Sequence, residues 1–203
     1  QPATNRPDQV DPAVLVSGSA AVVSYPARLS KVLGQDDDIL DVSSRISLLE
    51  AQGSLSSEEL VSIYSYLEDG QNSSGLDDAH WLWLKNDLMT YLRESDTDRD
   101  RYFEKLSGLF KHNEDSVIRD YSLQHLTVMA LAGEHEEDVR DILKQGAVVQ
   151  EGTIAGTALL GYSRLVDEQQ ENTDWLRSAA EDVAGSDRYD SASRASALQV
   201  LAN

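Results

Sequence analysis

After about residue 40, apolar residues recur every three or four positions, the spacing of helices that bury one face. The pattern predicts helices over about 41–52, 57–69, 77–94, 98–112, 115–132, 135–145, 151–168, 173–185 and 190–202. Polar residues that start helices stand ahead of several. Ser56 or Ser57 opens EELVSIYSYL, Asp96 or Thr97 opens DRDRYFEKL, Asp115 opens SVIRDYSLQHL and Thr173 opens DWLRSAAEDV. Each offers a side-chain oxygen to an orphan amide of the first turn. Gly53, Gly70, Gly133 and Gly146 stand where helices should stop, in the left-handed cap position. No proline follows Pro26 to break a helix interior. Residues 1–38 hold all four prolines and end in GQDDD, so they read as an extended arm with a short strand at Ala21 to Ser24. The chain thus divides into an arm, 1–40, and a helical domain, 41–203.

Two helices carry informative patterns. In HWLWLKNDLMTYL, Trp81, Leu84, Leu88 and Leu92 fall on one face and are expected in the core. Trp83 is turned about 200° from Trp81 and shares its face with Asn86, Asp87 and Thr90. A tryptophan among polar residues on an outward face is the kind of side chain that anchors a partner. Trp83, Asn86 and Asp87 are therefore the candidate binding residues, unless Val22, Val23 or Tyr25 of the arm covers the indole. In the helix over 115–132, Val117, Tyr121 and Val128 form one row, Ile118 and Met129 a second, and Leu123, Leu126 and Ala130 a third. Apolar coverage this broad predicts a helix packed on several sides.

The chain also repeats itself. IRDYSLQHL at 118–126 aligns with SRASALQVL at 193–201, pairing Arg119 with Arg194, Leu123 with Leu198, Gln124 with Gln199 and Leu126 with Leu201. IAGTALLGY at 154–162 fits between them more loosely. Each step holds two helices, and such a pair cannot bury its own apolar face without a neighbour. Gly152, Ala155 and Gly156 are small enough to let the next helix approach closely. The motif DSVIRDYSLQHL, with Asp115, Val117, Ile118, Arg119, Ser122, Leu123 and Leu126, resembles the second-helix signature of the HEAT-repeat family, and DVRDIL at 138–143 echoes its beginning. The resemblance covers roughly 115–203, and 41–112 only by helix length. It lacks the proline that many such units carry in the first helix. It implies an all-α fold, an α-α superhelix of antiparallel helix pairs stacked right-handedly, and a binding or scaffold role with no common catalytic residues.

Composition narrows the chemistry. The net charge is −19, with 36 acidic against 17 basic residues and no basic cluster, which disfavours nucleic acid and favours a basic protein or peptide partner. The absence of cysteine removes disulfides, zinc–thiolate sites and thiol catalysis. The longest uncharged run, 12–27, is too short and too rich in Ser, Gly and Pro to span a membrane, so no membrane insertion is expected. A first residue of Gln1 fits an exported chain, periplasmic or secreted, whose signal was removed, and a cytoplasmic address remains open. Asp96, Asp98 and Asp100 imitate the start of a calcium loop, but its sixth and twelfth positions hold Arg101 and Ser107 instead of Gly and Glu. Asp36, Asp37 and Asp38 read as a solvated hinge, and no histidine pair has zinc spacing. No nucleophile or phosphate-loop motif occurs, so no catalytic residue, metal or cofactor is assigned. The reading favoured is a noncatalytic protein-interaction scaffold. The alternatives are a helical-toroid enzyme or accessory domain acting on carbohydrate, with Trp83, Tyr64, Tyr66 and Tyr91 as sugar platforms, and a structural subunit of a cell-envelope assembly.

Overall fold

The computed structural model describes residues 25–34, 40–166 and 172–203. The strand expected at 21–24, the run Asp36 to Asp38, and Val22 and Val23 lie outside them. Among the described residues every regular element is a helix and none is a strand. A short α1 (Ser30–Leu33) precedes α2 (Val42–Ala51), α3 (Ser57–Glu68), α4 (Asp78–Ser95), α5 (Arg99–His112), α6 (Ser116–Leu131), α7 (Glu136–Gly146), α8 (Ile154–Leu165), α9 (Asn172–Gly185) and α10 (Ser191–Ala202).

Capping chemistry sets most of the boundaries. Ser56 caps α3 in a full capping box with Glu59, and Asp115 caps α6 through the amide of Val117. In α5 the cap is Asp98, not Asp96 or Thr97, because Asp96 is drawn into the interior. Gly53 and Gly133 take the left-handed conformation that ends a helix. Gly70 and Gly146 do not. The last carbonyls of α3 are met instead by the Lys85 ammonium, which donates to the oxygens of Leu67 and Asp69. Gly146 still belongs to α7, where a Cβ would stand 2.9 Å from that of Ala158.

The helices pack as neighbours in pairs: α5 with α6, α7 with α8, and α9 with α10. The second members also touch in order, α4 against α6, α6 against α8 and α8 against α10, while α2 lies on α4. The repeat segments at 118–126 and 193–201 therefore flank the third copy in α8. The matched arginines do matching work. The Arg119 Nε donates to the Phe110 carbonyl near the end of α5, and the Arg194 Nε to the Ala184 carbonyl near the end of α9. Each closes a last-turn carbonyl of the preceding helix, one of the groups a helix cannot satisfy internally.

Close approach explains the small residues. A Cβ on Gly156 would lie 2.8 Å from the Ser193 Cα, and one on Gly161 would lie 2.5 Å from the Thr127 hydroxyl. Thr153 gives α8 no side-chain cap. Ser193 of α10 compensates: its hydroxyl accepts from the Gly156 amide and donates to the Gly152 carbonyl. Ahead of α2, Leu29, Val32 and Leu33 are fully buried. The buried Arg45 guanidinium of α2 donates to carbonyls of Val32, Gly34, Leu40 and Ser74, tying that segment to the loop before α4.

Candidate functional site

Asp77 caps α4, its side chain accepting from the His80 amide. As the spacing predicts, Trp81, Leu84, Leu88 and Leu92 are buried. Trp83 points the other way and is 53% exposed, with His80 edge-on to its ring at 4.9 Å. Tyr25 lies elsewhere, edge-on to Tyr66 at 6.1 Å and beside the Ser73 hydroxyl.

The neighbouring residues join α4 to α6. The Asn86 Oδ1 lies 3.2 Å from the His125 Nε2. Burial, then the positive charge of Arg93, pushes the His125 imidazole down to about 4, so it is neutral at pH 7. Asp87, half-buried beside Asn86, has its carboxyl raised by desolvation. The Tyr121 phenol of α6 is raised as well, first by burial and then by the charges of Asp120, Asp87 and Asp115. These carboxylates thus share one neighbourhood. Among the described residues, no Lys, Arg or His forms an ion pair with Asp87, Asp115 or Asp120. The Asp120 Oδ2 accepts from Gln124, but its buried Oδ1 has no hydrogen-bond partner.

The three rows of α6 separate. Ile118, Leu123, Leu126, Met129 and Ala130 are buried, whereas Val117 and Val128 are exposed and Tyr121 is half-buried between them. The helix packs on several sides, yet the first row faces solvent. Trp83, Asn86, Asp87 and Thr90 on α4 and Val117, Tyr121 and Val128 on α6 are thus carried on two helices in contact. The α6 row was visible as periodicity. Its outward direction was not, because an apolar row carries no sign of which neighbour, if any, covers it.

The other sequence candidates have structural partners. The Asp96 side chain is fully buried. Burial would raise its carboxyl, but bonds from the Arg101 guanidinium, the Tyr64 hydroxyl and the Asp98 amide outweigh this and hold it low. Its oxygens are occupied. His135 stacks flat on Phe103 and places Nε2 2.9 Å from Asp100, bridging α5 to the start of α7. Tyr64 and Tyr66 are buried and present no platform. Among the described residues, no three His, Asp or Glu side chains gather as a metal site, and no helix is long and apolar enough to cross a membrane.

Open cavities occur among the described residues. One of about 490 Å³ lies between α8, α9 and α10 and includes Asp174, Leu176, Arg177 and Leu201. Another, of about 560 Å³, lies where the ends of α3 and α5 meet α4 and α6. Lys85 lies at its wall with the ammonium 4.0 Å from the centre of the Trp81 ring, and burial lowers its pKa to about 8. Asp87 lines neither cavity. No protein-family model, curated protein or solved structure matches the chain.

Proposed function

We propose that the chain is a noncatalytic docking scaffold built as a HEAT-like α-solenoid, and that a protein or peptide partner seats on the outward face of α4 and α6. The ordered contacts of α4, α6, α8 and α10 and the matched roles of Arg119 and Arg194 support the solenoid. One observation carries the docking face: Trp83 is 53% exposed on a helix packed against α6, whose own outward row is apolar. An exposed indole is a costly use of surface unless a partner covers it.

A photo-crosslinking residue placed at Trp83, and separately at Val61, tests this in cells that make the protein. Val61, 60% exposed on α3, is the control. We expect a discrete adduct from position 83 only, weakened severalfold by Tyr121→Ala. Equal or absent adducts at the two positions would refute the docking face.

A further inference from the structure

The same face carries information about the chemistry of what covers it. Beside its apolar residues stand two acids, Asp87 and Asp120, that form no ion pair among the described residues. Asp87 follows Trp83 by one helical turn on α4, and Asp120 adjoins Tyr121 on α6. Other acids do have cationic partners: Asp96 pairs with Arg101, Glu134 with Arg99, Glu151 with Arg119 and Glu68 with Lys105. Asp87 and Asp120 are not simply solvated surface charges. Asp87 is half-buried, and Asp120 is 6% exposed with its Oδ1 orphaned. A desolvated carboxylate without a counter-charge is unfavourable, and an incoming cation removes that cost.

Resting on the docking reading above, we propose that the occupant of the α4–α6 face is a basic amphipathic peptide segment. Its apolar side chain would seat against Trp83 and the Val117–Tyr121–Val128 row, and a lysine or arginine would pair with Asp87. Charge complementarity favours this occupant over a second copy of the chain, because each copy carries a net charge of −19. Arginine suits the position especially well, since its guanidinium can pair with a carboxylate while stacking on an aromatic face.

A display library of random 16-residue peptides, selected on the full chain at about 150 mM salt, reads the chemistry directly. Enriched peptides are re-measured by calorimetry on wild type, Trp83→Ala, Asp87→Asn and a control, Glu137→Gln, at an exposed acid of α7. Circular dichroism confirms that each variant is folded. We expect net-positive peptides with apolar residues three or four apart, weakened tenfold or more by either face substitution and unchanged by the control. Neutral or acidic peptides that still require Trp83 would overturn the basic occupant and leave the docking face standing. Cationic peptides that lose equally little to all three substitutions would reveal diffuse attraction to an acidic protein, overturning the proposal. No enrichment over Trp83→Ala would remove both readings.

Discussion

His125 is a buried histidine whose protonation is pushed well away from that of the free side chain. Buried between α4 and α6, it is neutral, with its pKa near 4, whereas an unfolded chain protonates histidine near 6.5. Between those values only the unfolded chain gains the proton, so stability is full above pH 6.5 and falls as the pH drops toward 4. The difference amounts to about 2 kcal/mol between pH 7 and 4.5. Urea unfolding at the two pH values should therefore show wild type losing about 2 kcal/mol more than His125→Gln. Equal losses would mean that the imidazole is solvated in the folded protein. Carboxylates such as Asp96, whose pKa is held low, contribute stability that is lost only at lower pH, and they affect both proteins alike.

At the scale of elements, glycine shows how far packing overrides propensity. Gly108 lies inside α5 with nothing within 4 Å of a would-be Cβ, while the same probe on Gly156 meets the Ser193 backbone at 2.8 Å. Gly108→Ala should stabilise by about 0.5–1 kcal/mol, the ordinary helix-propensity gain. Gly156→Ala should destabilise by about 1–3 kcal/mol as α8 and α10 are pushed apart. Opposite shifts in the urea midpoint check the pair, and two gains would show that the α8–α10 contact is looser than described. This contrast marks what the sequence discloses. The nine longer helices among the described residues were legible, because period and caps are local. The close approach at Gly156 was legible too, because small residues cluster there. The meaning of Gly70 and Gly146 was not, because one stands where Lys85 caps from another helix and the other is squeezed by Ala158 and Leu123. At the candidate site, Trp83 was readable from its angle to Trp81. The unpaired state of Asp87 and Asp120 was hidden, because it depends on which cations the fold brings near.

For the whole molecule, the repeat makes a quantitative claim about position along the stack. Leu123, Leu159 and Leu198 occupy one aligned site, and the first two are fully buried while Leu198 is 60% exposed. Leu123 lies against Gly146 of α7, the first helix of the next pair. The site after α10 has no such helix among the described residues. If each pair is sealed by its successor, identical chemistry must cost different amounts at the two ends. Leu123→Ala should cost about 2–5 kcal/mol, the range for a truncated core leucine, and Leu198→Ala should stay within about 0.5 kcal/mol, as exposed sites do. Parallel urea titrations measure both. A collapse centred on one core would make burial depend on distance from that centre rather than on a following pair. A costly Leu198→Ala would therefore mean that something other than a successor pair holds that leucine, and the linear reading of the fold would have to be given up.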